Sequence, residues 1–316
     1  MTDKQYAPEG ALLGTPANTA YLSSLRMLEA ARQSGATVEG TAIVCSAEDM
    51  SLKVDLGSAI GIIPREEAVY QEPGTPVKDI AILTRVGKPV ACKILSIDAS
   101  GDTPRVLLSR RAAQKECAEV FLSKLRPGDV IPARVTHLEP FGAFVDIGCG
   151  IVSLMTVDSI SVSRISHPRD RLSVGQRIHA VVRSVEPDTG RIYMSLRELL
   201  GTWEENAAAF RPGETVTGII RSVEPYGIFV ELTPNLAGLA ELKPDVSAGD
   251  GCSVYIKSIL PERMKIKLVL IDTHPEKPPV GIRYFLDPTT TKHIAAWRYS
   301  PAGCPKITET VFDAGD

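Results

Sequence analysis

Apolar and polar residues alternate along most of this chain in short runs, the two-residue period of a half-buried strand. Five such runs stand between positions 36 and 111: ATVEGTAIV, LKVDLG, GIIPREEA, VGKPVACKILSID and RVLLSR. Five more lie between 128 and 197, DVIPARVTHL, GAFVDI, GIVSLM, QRIHAVVRSV and GRIYMSL, and a third five between 213 and 272, TVTGIIRSV, GIFVEL, AGLAEL, CSVYIKSI and KIKLVLI. Turn residues separate the runs and no helical crossover interrupts them. The pattern predicts a mainly β protein of three tandem, closed five-stranded OB-fold barrels. A helical period appears over Asn18–Ser34, where Tyr21, Leu22, Leu25, Leu28 and Ala31 share a face, with Asn18 or Thr19 to cap it and Gly35 to end it. Short helices are predicted to link the barrels over Ser109–Leu125 and Leu199–Phe210, the second packed through Trp203. Residues 1–17 show no period and are expected to be disordered. After Pro278, GIRYFLD and HIAAWRYS predict a β-hairpin carrying Tyr284, Phe285, Trp297 and Tyr299. The expected division is 1–35 (disordered start and helix), 36–111, 127–197 and 211–272 (barrels), 112–126 and 198–210 (linking helices) and 273–316 (hairpin extension).

The array is a repeat. LEPFGAFVDI, from Leu138, returns as VEPYGIFVEL, from Val223, and Arg126-Pro127-Gly128-Asp129 returns as Arg211-Pro212-Gly213-Glu214, 85 residues on in both cases. Val145 and Ile147 suit a core face, which turns Phe144 outward. Phe141 has the wrong parity, but Gly142 permits a bend that brings both rings to one side. Tyr226 and Phe229 repeat the pair. One ring of each pair could instead fill the core. The duplication, in a chain only 5 % aromatic, favours two exposed pairs, and paired rings on a small barrel can stack unpaired bases. In the first repeat Met50 and Lys53 stand at the ring positions, so that platform is missing.

Composition narrows the chemistry. The 316 residues carry a net charge of −3, so no basic excess points to nucleic acid. The stretch from Pro127 to Arg197 holds eight Arg against seven acids, and that from Arg211 to Asp272 seven basic residues against eight acids. Affinity for nucleic acid would therefore come from stacking and locally placed cations, and would be weak, salt-sensitive and sequence-tolerant. No apolar run approaches the ~18–20 residues that span a bilayer, and MTDKQYAPEG lacks a basic-then-apolar leader. A cytoplasmic protein without membrane contact is expected. The six scattered cysteines read as reduced. No metal or cofactor is expected, and without a phosphate loop, an H-E-x-x-H or a G-x-S-x-G, no enzyme. Asp146 and Glu231 read as hydrogen-bonded strand residues and His179 as a packed one.

Three segments carry a resemblance: V-x-x-x-x-x-F-G-A-F-V-D (Val135–Asp146), P-x-D-x-L-x-V-G-Q (Pro168–Gln176) and V-x-x-V-E-P-D-T-G-R-I-Y-M-S-L (Val182–Leu196). They resemble the RNA-binding repeat of bacterial small-subunit ribosomal protein S-one, and the likeness extends over about residues 20–272. It implies OB folds whose RNA surface centres on two aromatics of strand two, with a histidine in strand three and an acid and an Arg at the turn between strands four and five. Carried over, the aromatics are Phe141 and Phe144, the acid Glu186 (or Asp188) and the Arg Arg191. The histidine position is assigned to Ser153. In the third repeat these are Tyr226, Phe229, Glu241 at the histidine position and Lys265. In the first, Met50, Lys53 and Pro64 replace them, as in the docking repeats of that family. The implied partners are single-stranded mRNA and the small ribosomal subunit, the latter through the first repeat and the N-terminal helix. An RNA-binding accessory in RNA decay or transcription, or a protein scaffold without RNA contact, remains open.

Overall fold

A computed structural model describes residues 6–71, 77–101, 104–275 and 281–313. Among these, fifteen strands close into three five-stranded barrels, followed by a two-stranded hairpin. Barrel one is β1 (Val38–Cys45), β2 (Leu52–Asp55), β3 (Ile60–Ile63), β4 (Pro89–Asp98) and β5 (Arg105–Ser109). Barrel two is β6 (Val130–Glu139), β7 (Gly142–Gly148), β8 (Ile151–Thr156), β9 (Arg177–Val185) and β10 (Ile192–Ser195). Barrel three is β11 (Thr215–Glu224), β12 (Gly227–Thr233), β13 (Leu236–Ala240), β14 (Gly251–Leu260) and β15 (Lys265–His274), and the hairpin pairs β16 (Ala296–Arg298) with β17 (Glu309–Val311). All three barrels share one cyclic order, first-second-third-fifth-fourth, and the third strand runs parallel to the fifth.

The alternation in the sequence sets the barrel interiors. In β2, Leu52 and Val54 are buried while Lys53 and Asp55 are exposed; in β7, Val145 and Ile147 are buried beside a half-buried Phe144. Each core is aliphatic, as with Leu52, Val54, Val90 and Leu108 in barrel one.

The chain divides into two compact units. The first is Met1–Leu125 with Pro132–Arg134 and Asp146–Val152; the second is Arg126–Ile131, Val135–Val145 and Ser153–Asp316. In the first unit the expectation of disorder ends at Tyr6. The Glu9 carboxylate is buried against Arg110 (2.6 and 3.1 Å), and the Glu9 N–H donates to Asp146 Oδ2 at 2.7 Å. The N–H groups of Gly10, Leu12 and Leu13 donate to the Glu39 carboxylate at 2.8–2.9 Å. These anchors lie far away in sequence, so local composition does not reveal them. The single expected helix is two, α1 (Pro16–Leu22) and α2 (Leu25–Ser34), because Ser24 turns extended and caps α2 by accepting from Met27 N–H. Thr15, not Asn18 or Thr19, caps α1, and Gly35 ends α2 in a left-handed conformation. The remaining α-helices are α3 (Asp79–Leu83), α4 (Arg110–Glu116), α5 (Val157–Ile160) and α6 (Trp203–Ala207).

In the second unit, the hairpin involves later residues than expected. Tyr284 and Phe285 lie outside any strand, whereas Trp297 is on β16 and Tyr299 follows it. The tail is pinned by polar contacts: Tyr299 Oη donates to Asn235 O at 2.5 Å, and His293 bonds Asp129 at 2.8 Å. Trp203, at the start of α6, is buried and donates its N–H to Tyr299 O. The backbone N–H of His179 donates to Tyr284 Oη, and burial of the His179 ring lowers its pKa.

Candidate nucleic-acid interface

The ring pairs are exposed, and both lie in the second unit. Phe141 is 55 % and Tyr226 68 % accessible, while Phe144 and Phe229 are half-buried. The rings of each pair meet edge to face, with centroids 6.0 and 6.1 Å apart and interplanar angles of 89° and 88°. Phe141 and Tyr226 stand in the turns before β7 and β12, which removes the parity conflict without a bulge between the two rings. The register shift falls in the neighbouring strand, between Ile220 and Ser222 in barrel three. Gly142 and Gly227 allow the turn to close. A Cβ on Gly142 would lie 2.4 Å from Met155 O, and one on Gly227, whose φ is +150°, 2.7 Å from Ala240 O.

Cross-strand register shows what flanks the rings. In barrel three Ser222 pairs with Phe229, Phe229 with Leu239, and Leu239 with Lys267. The counterparts in barrel two are His137, Phe144, Leu154 and Tyr193, with Leu154 opposite Tyr193. The His137 ring lies 6.2 Å from Phe144 at a 31° tilt and is hydrogen-bonded to Glu139 at 2.7 Å. His137 and Tyr193 were missed by the sequence reading. Strand alternation, with His137 opposite Phe144 across the hairpin, was the signal for the first. In barrel one the row is Val44, Lys53, Ile62 and Leu107, so Lys53 holds the ring station and the row carries no aromatic side chain.

The same register corrects one assignment. Ile62, Leu154 and Leu239 are equivalent, so the position two residues on holds Pro64, Thr156 and Glu241. Ser153 is not that position: its side chain is buried and donates to Ile192 O at 2.5 Å. Thr156 is engaged by Arg183 at 3.2 Å. Glu186 and Arg191 close the β9–β10 turn, where Glu186 N–H donates to Arg191 O at 2.8 Å and Thr189 donates to the Glu186 carboxylate. Arg191 and Lys265 are exposed at equivalent turns. Asp146 and Glu231 do not face the ring surface. Both are buried, Asp146 under the N–H groups of Glu9, Gly148 and Gly150, and Glu231 between Arg171 and Arg221.

Three barrels of one topology, two with edge-to-face ring pairs at one station, define a tandem array of OB-type domains. The family described as "S1 RNA binding domain" matches residues 124–197, which is barrel two. The chain is 29 % identical over 282 residues to "Small ribosomal subunit protein bS1" of Leuconostoc lactis, covering 82 % of this chain and 63 % of that protein. It is 30 % identical over 220 residues to the protein of the same name from Staphylococcus aureus, covering 65 % of this chain and 55 % of that one. Barrel two matches the S1 family, and the chain is similar over most of its length to these curated relatives, of whose length it spans somewhat over half. A solved multidomain protein with nucleic acid binding domains from Streptococcus pneumoniae is 15 % identical and covers 75 % of this chain and 74 % of its own, at a TM-score of 0.24, a likeness too slight to argue from.

Proposed function

We infer that this chain binds single-stranded RNA on the ring faces of barrels two and three and assists translation of mRNA at the small ribosomal subunit. The observation that carries this is the recurrence of one exposed edge-to-face pair at equivalent turns, Phe141 with Phe144 and Tyr226 with Phe229. A lone exposed ring is ordinary; two pairs rebuilt on two barrels are a surface for flat, apolar ligands. Base stacking on such rings contributes roughly 1–3 kcal/mol per base and tolerates any sequence. The acid–Arg turn at Glu186 and Arg191, and Lys265 in barrel three, complete the surface by reaching sugar and phosphate. Barrel one, with Lys53 at the ring station, serves for docking to the ribosomal subunit together with α1 and α2. The role is one of binding rather than catalysis, in the cytoplasm. No described helix is long and apolar enough to cross a membrane. The relatives named as small ribosomal subunit proteins support the ribosomal setting.

The test has two arms. Fluorescence anisotropy with labelled oligouridine should show saturable binding to the full chain that single-stranded competitor removes and duplex does not. The chain should also sediment with small ribosomal subunits at low salt. Binding without co-sedimentation would assign it to an RNA-binding role away from the ribosome; no binding would leave a protein scaffold.

A further inference from the structure

The two ring-bearing barrels differ in the charge beside the rings. In barrel three, Lys267 is the end of the row Phe229–Leu239–Lys267. Lys265 lies two residues before it on the same face of β15, and Lys257 sits at the register shift of β14 between Ile256 and Ser258, where Ser258 pairs with Lys267. All three lysines are exposed. Among the described residues none of them forms an ion pair, and neither Glu241, just after β13, nor Glu262, in the β14–β15 turn, bridges to them.

The same three stations in barrel two hold Arg183, Arg191 and Tyr193. Tyr193 replaces a cation with a ring, opposite Leu154. Arg183 is already committed: it donates to Thr156 at 3.2 Å and to Ser159, and pairs with Asp158 at 3.4 Å. Its partners Asp158 and Ser159 belong to α5, at the start of the connection between β8 and β9. In barrel three the corresponding connection, Glu241–Asp250, is shorter and forms no helix. Lys257 therefore meets no equivalent of Asp158. The shorter connection thus leaves this cation without the acid that engages Arg183.

We propose that barrel three is the phosphate-holding module, gripping the RNA backbone on Lys257, Lys265 and Lys267, while barrel two supplies base contact on its rings, with Arg191 the uncommitted cation among the same three described stations. This rests on the reading that the ring faces take RNA. A lysine ammonium is a compact point charge suited to phosphate. Three of them exposed on two neighbouring strands can hold consecutive phosphates, whereas the His137, Phe141, Phe144 and Tyr193 surface offers rings and little charge.

The division has a thermodynamic signature. Each phosphate neutralised on a single strand contributes about −0.7 to the slope of log affinity against log salt. Oligouridine binding to the full chain is measured over a series of KCl concentrations for wild type, a triple Lys257→Gln, Lys265→Gln, Lys267→Gln variant, the corresponding triple Arg variant, and a Phe141→Ala, Phe144→Ala variant. The triple Gln variant should bind less tightly at low salt and show a slope shallower by about 2. The triple Arg variant should keep the wild-type slope. The Phe variant should lose affinity by a similar factor at every salt concentration, with its slope unchanged. A triple Gln variant with the wild-type slope would overturn the proposal while leaving RNA binding intact. Failure of wild type to bind oligouridine would instead overturn the underlying reading. Polyglutamate competing as well as oligouridine would overturn the assignment in favour of an acidic protein ligand.

Discussion

Arg171, in the long β8–β9 connection, forms an ion pair with Glu231 on β12, and the two side chains are only 1 % and 2 % exposed. Arg221 holds the same carboxylate at 2.7 and 3.1 Å and reaches Asp170 at 3.3 Å. Two guanidinium groups thus depend on one buried acid. Glu231→Ala takes away the ion pair of Arg171 and leaves Arg221 with Asp170 alone, and should cost about 3–5 kcal/mol of stability in urea titration. Glu231→Gln keeps one acceptor and should cost less. An alanine variant within about 0.5 kcal/mol of wild type, the range of an ordinary surface substitution, would show the network to be dispensable.

Asp146 gives a pH dependence of definite sign. Burial, with the charge of Glu9 adding to it, pushes this carboxyl from 3.8 up to about 7, against the opposing N–H bonds of Glu9 and Gly148 and the charge of Arg110. The folded state then holds a proton that the unfolded state has lost, so between about pH 4 and pH 7 this group lowers stability as pH rises. Glu39 is shifted the same way by its burial. Asp146→Asn should remove that component: relative to wild type, the variant should gain stability from pH 4.5 to 7.5 in thermal or urea unfolding. A difference that moved the other way would mean that the carboxylate is stabilised in place.

Gly142 sets the ring pair of barrel two by close approach. Because a Cβ there would meet backbone 2.4 Å away, Gly142→Ala must shift β7 or β8. It should destabilise by about 1–3 kcal/mol, the range of overpacking, and weaken oligouridine binding, as Phe141 and Phe144 lose their arrangement. Unchanged melting together with unchanged RNA affinity would show that the approach relaxes at no cost.

His137 belongs to the ring cluster of barrel two through its 6.2 Å contact with Phe144, and barrel three has Ser222 in its place. His137→Ala should reduce RNA affinity about three- to tenfold, as expected for losing part of a stacking surface. Ser222→His should strengthen binding at barrel three. Equal affinities for wild type and both variants would exclude His137 from the interface.

Much of the architecture could be read in the chain because strand alternation and an 85-residue repeat are local signals. Leu52, Val54, Val145 and Ile147 point inward as their spacing dictates. What escaped depends on distant partners. Tyr6–Thr15 carries no periodicity, yet Glu9 is fixed by Arg110, about a hundred residues away. The break between α1 and α2 turned on which way Ser24 would bond, a choice between continuing a helix and capping a new one. The resemblance alone puts Ser153 at the histidine position; the register of Leu154 against Tyr193 puts Thr156 there instead. The ring pairs were legible as pairs; their neighbours His137, Tyr193 and Lys267 emerge only once strands are laid side by side.

The most direct measurement is oligouridine affinity of the full chain carrying Phe144→Ala and Phe229→Ala together. Stacking of roughly 1–3 kcal/mol on each ring implies a loss of at least about thirtyfold, read at a temperature where the variant, its half-buried rings truncated, is still fully folded. A correctly folded double variant that binds oligouridine as tightly as wild type would contradict the claim that these two barrels present rings to unpaired bases.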